Sequence, residues 1–470
     1  MGYTFSEEKF IESFNAKSVE EKSADSMRLT HKPDGAFKLF PYKASGKSQA
    51  PIVTDLEDVV SGFFREVQGK KTEAIDFDSL YDALLEEVEI DDEDLEYFKD
   101  MLQSVFFDGD NFVANNIGLY PYQTVVNNKS ADNLAHFLYS VLDVTEEDCK
   151  KIEEEKSKYR FNVIEDMVIQ TMEEKKVTES EHKEPYYCVK TGIQNKFRED
   201  FYYMLESGMT SLEDLSNLFS VYYFYYVSQT CITLDHFCEG IRDNKVDFYY
   251  ALDWEKVSKN RLCCNSGWDK LQASIAHMFS HAITLEILNQ NSDDEKWDYI
   301  KFKEYIELHP NEDIVIAGEV KKAEMTYRSY VGDYKKFDDI DYVYAKTETE
   351  KAIRHLFKCV EAQFLETERK RANQFYNEKF SEFCKARWVK NRKKSGLVLN
   401  LTERDIIFLT KVSLKNNDKI RLNDLYKEYT YRGVYLDNTS KEYLQEFFTK
   451  LNLIDKKSDS GDAQYVKRIL

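Results

Sequence analysis

The chain has 470 residues, of which 42% are hydrophobic and 32% charged, and its formal net charge is −21 at pH 7. This length permits about two to four domains with separate cores, and the hydrophobic share excludes a generally disordered chain. Because only 6 prolines and 16 glycines interrupt the sequence, we predict a mainly α, multi-domain helical scaffold with a small α+β part at its N-terminus.

The sequence predicts a protein without membrane segments or disulfides. Met1 to Phe14 contain no basic segment followed by an apolar run, and no stretch reaches the roughly 20 apolar residues of a membrane helix. We therefore expect a cytoplasmic location and no contact with a membrane. The 8 cysteines are spread along the chain, which favours reduced, packed thiols.

The N-terminal region predicts an arm followed by a mixed domain. Residues 1–28 are rich in Ser, Glu and Lys, as is typical of a flexible arm, and residues 29–145 are expected to form an α+β domain. Residues 36–42 are a candidate strand, and residues 56–67 have apolar positions at helical spacing. Residues 76–103 predict a very acidic helix.

Residues 146–345 predict a helical core domain. From residue 194 to residue 289, aromatic and aliphatic side chains recur at the spacing expected of a buried helical bundle. The five consecutive aromatic residues from Tyr222 to Tyr226 are expected to line its core or an interface.

Residues 346–395 predict a long helical connector. Thr347 and Glu350 have the spacing of a capping box, and residues 348–394 contain neither Gly nor Pro. One helix, or two stacked helices, would span on the order of 70 Å at 1.5 Å per residue. A connector of this length is typical of a scaffold that positions other components.

The basic residues are concentrated at the C-terminus. Residues 385–470 contain 19 Lys and Arg against 11 Asp and Glu, a net charge of +8, while the remaining chain has a net charge of −29. Since binding to a polyanion depends on local charge, this part of the chain is the candidate for contact with nucleic acid.

The densest basic cluster has the sequence KARWVKNRKK at residues 385–394, with 6 basic residues in 10 and no acid. Such a cluster can neutralise phosphates, and its tryptophan can stack on a base. The alternative is a solvated helix end whose lysines complement the helix dipole. The predicted DNA-binding residues here are Lys385, Arg387, Trp388, Lys390, Arg392, Lys393 and Lys394.

Residues 396–470 predict a winged helix-turn-helix domain. Its predicted elements are a helix capped by Thr402 and running to about Leu414, a strand at 419–422, a helix capped by Asn423, a helix capped by Asn438 or Thr439, and a β-hairpin at 453–457 and 464–470.

In DNA-reading proteins of this class, the third helix enters the major groove and the wing contacts phosphate. The corresponding candidates are Ser440, Lys441 and Gln445 in the helix, with Lys456 and Lys457 in the wing. The same helix contains Glu442 and Glu446, which phosphate would repel. A winged helix that binds only protein therefore remains the alternative.

A phosphate-binding loop and a metal site are both poorly supported. Gly46-Lys47-Ser48 resembles the end of a phosphate-binding loop, but Pro41 stands where that loop needs a glycine. His277 and His281 share one face if helical, and the nearby candidates for a shared ion are His236, Cys238, Cys263 and Cys264. Isolated histidines on a helix are usually core residues, so we predict no metal and no cofactor.

Asp313, Glu319 and Lys321 are the candidates for a catalytic site. A strand bearing Glu-x-Lys after an Asp is how many nucleases hold Mg²⁺ beside a lysine. Residues 312–330 fit a helix equally well, with Ile314, Ala317, Lys321 and Met325 in register. We therefore predict no catalytic residue and no enzymatic activity for this chain.

Three stretches resemble the DptG family of phosphorothioation-dependent DNA restriction proteins. They are HKPDGAFKLFPYK at 31–43, VVSGFFREVQGK at 59–70 and KLNLIDKKSDSGDAQYVKRIL at 450–470. The resemblance implies a role in bacterial antiviral defence, in which the chain acts with ATPase-type DptF-like and DptH-like subunits to restrict DNA that lacks phosphorothioate. It implies no catalytic residues.

These observations lead to one functional hypothesis and two alternatives. We expect a non-catalytic subunit that links ATPase-type partners and contacts double-stranded DNA without strong sequence preference. The first alternative is an autonomous winged-helix DNA-binding regulator, which would form a dimer on a preferred palindromic site. The second, less favoured, is a Mg²⁺-dependent nuclease.

Overall fold

The computed structural model describes residues 2–44, 52–72, 75–123, 129–175, 177–179, 183–456 and 464–469. Most of this chain is helical, which confirms the mainly α prediction. None of the described helices is both long enough and apolar enough to cross a bilayer. All eight cysteines are free thiols, as predicted.

The first half of the chain contains short helices and small strand pairs around one long helix. Its elements are α1 (Glu7–Ser13), α2 (Glu57–Gln68), β1 (Lys70–Thr72), α3 (Phe77–Leu85), α4 (Leu95–Phe106), β2 (Phe107–Asp108), β3 (Asn111–Phe112), α5 (Lys129–Val141), α6 (Glu146–Ser157), α7 (Val163–Lys175), β4 (Val177–Glu179), α8 (Gln194–Ser207) and α9 (Leu212–Asp235).

The second half adds helices on α9 and ends in a small mixed module. Its elements are β5 (Ala251–Leu252), α10 (Leu262–Asn265), α11 (Trp268–Ile275), α12 (Met278–Leu288), α13 (Tyr299–Leu308), α14 (Asp313–Tyr330), α15 (Glu348–Glu366), α16 (Lys370–Arg387), β6 (Val389–Asn391), β7 (Leu397–Leu401), α17 (Glu403–Leu414), β8 (Lys419–Arg421), α18 (Leu422–Tyr431), α19 (Asn438–Lys450), β9 (Ile454–Lys456) and β10 (Gln464–Lys467).

Helix α9 lies at the centre of the core. The Ser211 side chain accepts a hydrogen bond from the backbone N–H of Asp214 and so caps its start, and every residue from Leu215 to Leu234 is buried. Helices α2, α5 and α11 pack around it. The aromatic run Tyr222–Tyr226 is at most 4% exposed, so the prediction that it lines the core is confirmed.

The N-terminal segment is packed, which corrects the prediction of a flexible arm at residues 1–28. Phe5, Phe10 and Phe14 are buried in the core, and Phe10 stacks on Phe14 at a centroid distance of 4.6 Å. The backbone N–H of Ser6 donates to the carbonyl of Gln290 at 2.7 Å. The aromatic spacing in this segment was the signal that its polar composition concealed.

The mixed N-terminal region differs from its predicted form. Residues 36–42 form no strand; instead the backbone N–H groups of Ala36 and Phe37 donate to the buried carboxylate of Glu286 at 2.7 and 2.8 Å. The predicted helix at 56–67 is present as α2, whereas the acidic segment 76–103 is divided between α3 and α4. The strands of the N-terminal region form two antiparallel pairs: β2 pairs with β3, and β1 pairs with the later strand β4.

The predicted connector is two packed helices and not an isolated strut. Thr347 caps α15 by accepting the backbone N–H of Glu350 at 3.1 Å, and the helix ends before Thr367. Both α15 and α16 pack on α12, so their apolar seams face the core. The sequence could not distinguish these helices from a strut, because an apolar seam fits either.

The C-terminal module has the predicted order of helix, strand, helix, helix and hairpin. Strands β8, β10 and β9 form an antiparallel sheet with β10 in the middle. Thr402 caps α17 as predicted, but Asp437 caps α19 and no side chain caps α18. The module is joined to the body, since β7 pairs with β6 and, in parallel, with β5.

Candidate nucleic-acid interface

The basic cluster 385–394 begins in the last turn of α16 and continues through β6 into a tight turn. Strand β6 forms because its backbone pairs with β7, with Val389 opposite Leu399. The turn requires left-handed backbone at Lys393 (φ 55°) and Gly396 (φ 80°). This local fold determines which basic side chains face solvent.

Trp388 is buried, so it cannot stack on a base as predicted. Its side chain is 3% exposed and lies 5.9 Å from the ring of Phe224 and 6.3 Å from that of Tyr250. It continues the apolar seam of α16 into the core. A tryptophan within a basic run has the same sequence signature whether it faces nucleic acid or the protein interior.

The two arginines of the cluster form hydrogen bonds to other parts of the protein. Arg392 donates to the backbone carbonyls of Leu252 (2.6 Å), Asp253 (3.2 Å) and Glu255 (3.4 Å). Arg387 donates to the side chain of Asp405 at 3.3 Å. Because these guanidinium groups already have protein acceptors, they are not free to bind phosphate.

Two lysines of the cluster are paired with carboxylates. The ammonium group of Lys385 lies 2.7 Å from a carboxylate oxygen of Glu382, and Lys390 forms an ion pair with Asp253. The hydrogen bond from Lys390 lowers the pKa of the Asp253 carboxyl below its usual value. Neither lysine adds an unbalanced positive charge to the surface.

Lys393 and Lys394 are exposed at the turn and lie beside a second lysine-bearing segment. The Ser395 hydroxyl donates to the carbonyl of Val257 at 3.0 Å, which holds the turn against residues 255–259. Lys256 and Lys259 of that segment are also exposed. We call Lys256, Lys259, Lys393 and Lys394 the lysine surface.

The lysine surface carries uncompensated charge. Within the described ranges, none of its four ammonium groups has a carboxylate within 4.0 Å, whereas other exposed lysines, such as Lys335, Lys346 and Lys427, are paired with carboxylates. Lys256 and Lys259 were not among the predicted residues, because they are more than 120 residues from the basic cluster in sequence. The run WEKVSKNR at 254–261 was the available signal.

Residues 250–261, which include Lys256 and Lys259, cover the start of α19. Ser440 is fully buried, and its hydroxyl lies 3.3 Å from the carbonyl of Tyr250. Arg261 donates to both carboxylate oxygens of Asp437, at 2.6 and 2.7 Å. Burial opposes ionisation of Asp437, but these hydrogen bonds keep its pKa below the usual value.

The remaining DNA-binding candidates of the predicted winged helix-turn-helix are Lys441, Gln445, Lys456 and Lys457. Lys441 is half-buried with its ammonium group 5.2 Å from the ring centroid of Tyr426, and Gln445 is half-buried on the same helix. Lys456 lies opposite Gln464 in the sheet. Its side chain and all of Lys457 lie outside the described residues, as do Gly46, Lys47 and Ser48.

The strand that the nuclease hypothesis required is not present, because residues 313–330 form α14. Asp313 accepts the backbone N–H groups of Glu348 and Thr349 at 2.9 and 2.8 Å and so anchors the start of α15. Glu319 accepts the backbone N–H of Phe5 at 3.0 Å. Both carboxylates therefore have structural partners.

The histidines and cysteines that the sequence offered as possible ligands are not brought together as one set. Cys263 and Cys264 lie in a separate small cluster with Val398, and the imidazole of His236 contacts the carbonyl of Ile232 at 2.6 Å. Only His277 and His281 lie side by side, both in contact with Asp235.

The chain matches no protein-family model, and no curated protein is similar enough to suggest a family. Its function must therefore be inferred from its residues and their geometry.

Proposed function

We propose that this chain is a non-catalytic subunit of a phosphorothioation-dependent DNA restriction complex, which contacts double-stranded DNA through the lysine surface and links ATPase-type partners. The resemblance of residues 31–43, 59–70 and 450–470 to DptG-type proteins supports the biological setting, and DptF-like and DptH-like subunits are the partners it implies. The observed order of elements in residues 396–470 supports a winged helix.

The lysine surface is the observation that carries the DNA contact. Four exposed, unpaired lysines on two adjoining segments form a local positive field on a chain whose net charge is −21. Lysine is a flexible point charge that binds phosphate without bidentate geometry. Such a surface binds the DNA backbone and does not read bases, which agrees with weak sequence preference.

The autonomous regulator is less well supported than the subunit. A sequence-reading winged helix needs the first turn of its third helix in the major groove. In this chain Asp437 and Ser440 at that turn contact Arg261 and Tyr250 of the body. Exposed Glu442 and Glu446 on the same helix would also repel phosphate.

The test is a charge-neutralising variant with a matched control. Replacing Lys256, Lys259, Lys393 and Lys394 by Gln should remove most DNA binding of the chain, alone or in its assembled complex. Each lost phosphate contact lowers the slope of log Kobs against log salt by about 0.9, so the four changes together should lower it by about 3–4. Binding is measured by fluorescence anisotropy from low to moderate salt.

The control replaces exposed lysines that already have carboxylate partners, namely Lys158, Lys335, Lys346 and Lys427. It changes the net charge equally but leaves the lysine surface intact, so it should retain binding. If both variants lose affinity to the same extent, overall charge and not this surface is responsible. A strong preference for one palindromic sequence would favour the regulator instead.

A further inference from the structure

A second polar cluster lies at the C-terminal end of α9, away from the lysine surface. Asp235 is the last residue of α9, and one of its carboxylate oxygens lies 2.9 Å from Nδ1 of His277 and 3.0 Å from Nε2 of His281. The two histidines are four residues apart at the start of α12, which places both on one side of that helix. One ligand atom from each of the three residues lies within 4.8 Å of the others.

The outward nitrogen of each imidazole also has a partner. Nδ1 of His281 lies 3.0 Å from the hydroxyl of Tyr299, and Nε2 of His277 lies 3.5 Å from a carboxylate oxygen of Glu361. Histidines that bind metals usually donate their second ring N–H to such a partner, which fixes the ring and its tautomer. The two rings thus present Nδ1 and Nε2 towards the Asp235 carboxylate.

The cluster differs in charge from two other histidine–carboxylate pairs of this chain. The Glu324–His355 pair includes Arg328 at 3.2 Å, and the Glu66–His136 pair includes Lys183 at 2.7 Å. In the described part of the chain, neither Asp235 nor Glu361 has a Lys or Arg within 4.0 Å.

Carboxylates that are largely removed from water are normally paired with a cation or coordinate a metal, and the side chains of Asp235 and Glu361 are 23% and 25% exposed. Among the described residues, the polar partners of the Asp235 and Glu361 carboxylates are the imidazoles of His277 and His281. A bound cation would therefore balance the negative charge of the two carboxylates.

The cluster is partly open to solvent. The side chain of His277 is 38% exposed and that of Asp235 is 23% exposed, whereas His281 is 1% exposed. The rings of Phe237 and Phe357 cover His281 at centroid distances of 5.3 and 4.4 Å. An ion could therefore enter past His277 and retain a water molecule on the open side.

We propose that Asp235, His277 and His281 form a binding site for a first-row divalent transition ion, with Zn²⁺ the best match. Two imidazole nitrogens, one carboxylate oxygen and an open position are a common zinc donor set. Tetrahedral ligands at about 2.0–2.1 Å from zinc lie about 3.3 Å apart, so the Asp235 contacts of 2.9 and 3.0 Å would lengthen slightly as the three side chains rearrange around the ion. Glu361 and Tyr299 are positioning residues, and the bound ion would clamp α9 to α12.

The test is Zn²⁺ titration of the chelator-treated, full-length chain by calorimetry, together with thermal unfolding. We expect about one equivalent to bind and the melting temperature to rise, because an ion that binds only the folded state stabilises it. His277→Ala should abolish binding. It should still fold, since this partly exposed side chain makes no capping hydrogen bond to α12. Asp235→Asn, which preserves side-chain size, should do the same.

Two further variants separate this site from adventitious binding. Glu361→Gln should weaken binding about 10- to 100-fold without abolishing it, as expected when the partner of a ligand is lost. His309→Ala, at an exposed histidine outside the cluster, should bind like the unmodified chain. Failure of the unmodified chain to bind Zn²⁺, or equal binding by the His277→Ala and His309→Ala variants, would overturn the proposal.

Discussion

Arg432 and Asp200 form the most deeply buried ion pair described in this chain, with side-chain exposures of 1% and 0%. The guanidinium group donates to both carboxylate oxygens at 2.6 and 2.7 Å, and the hydroxyl of Tyr222 donates to the same carboxylate at 2.8 Å. A buried pair of this kind offsets its desolvation cost only when its hydrogen-bonding groups are satisfied. It joins the end of α18 to α8.

Replacing Arg432 by Met should destabilise the chain by about 3 kcal/mol, because the buried Asp200 carboxylate would lose its bidentate partner and retain the longer ion pair with Lys415 at 3.4 Å. Urea unfolding followed by circular dichroism measures this difference. The control is Lys427→Met, which breaks an exposed pair with Asp424 and should cost less than about 1 kcal/mol. Similar losses of unfolding free energy in the two variants would mean that the buried pair contributes no more to stability than the exposed pair.

Lys190 is a buried cation, and no carboxylate among the described residues lies within hydrogen-bonding range of it. Its ammonium group donates to the carbonyls of Ile241 and Asn244 at 2.8 and 2.7 Å. Burial lowers its pKa from 10.5 to about 8. Between these two pH values the unfolded chain holds this proton more tightly than the folded chain, so the contribution of Lys190 to stability increases as pH rises.

We therefore expect Lys190→Met to remove part of the rise in unfolding free energy between about pH 8 and pH 10.5. Urea midpoints measured across this range for the variant and the unmodified chain give the difference. Lys270→Met, at an exposed lysine, is the control and should leave the pH dependence unchanged. An identical pH slope in the Lys190 variant would show that folding does not shift the pKa of Lys190.

At the scale of elements, α1 shows how one short helix anchors the N-terminus. Phe10 is fully buried against Phe5 and Phe14, while the adjacent Ile11 is 38% exposed. Phe10→Ala should cost about 3–5 kcal/mol through lost burial and the cavity it leaves. Ile11→Ala on the same helix should have a much smaller effect in the same denaturation experiment. Equal, small effects would mean that residues 2–14 contribute little to the core.

Elements with local signals were predictable from the sequence. Thr402 and Asp405 form a reciprocal capping box, and the predicted start of α17 is observed. Elements that depend on distant partners were not predictable. Strands β5 and β7 pair across about 150 residues of sequence, and neither has a strong strand pattern of its own.

In the candidate site, too, local sequence signals were predictive and contacts between distant residues were not. The exposed pair Lys393–Lys394 could be selected from local charge. Trp388 and Ser440 are buried next to Tyr250, which is distant from both in sequence. Lys256 belongs to the lysine surface because the neighbouring Val257 contacts Ser395. Such contacts leave no local pattern in a single sequence.

At the scale of the whole molecule, one contiguous core cluster extends from Tyr3 to Val466. The predicted domain boundaries stay predictions, but residues from both termini share this core. A body of this kind holds its surfaces in fixed relative positions. This rigidity suits the proposed role, in which DNA and partner proteins are bound by different faces of one subunit.

The best candidate for the partner-binding face is the exposed side of α14 together with Leu308, which precedes this helix. Ile314 is 77% exposed, Val315 65% and Met325 69%, while Leu308 before the helix is 78% exposed. Gly318 lies between them with no atom near the position that a side chain would occupy. Large apolar side chains exposed close together are typical of protein interaction sites.

Ile314→Asp should therefore abolish co-purification of ATPase-type partners from nuclease-treated native extract, while leaving the fold unchanged because the side chain is already exposed. Val163→Asp is the matched control, since Val163 is 73% exposed in the first turn of α7. Loss of partners with both variants would indicate a nonspecific effect of the added charge. Retention of partners with Ile314→Asp would exclude this face. Recovery of the unmodified chain alone would instead refute the proposed complex and redirect attention to the autonomous regulator.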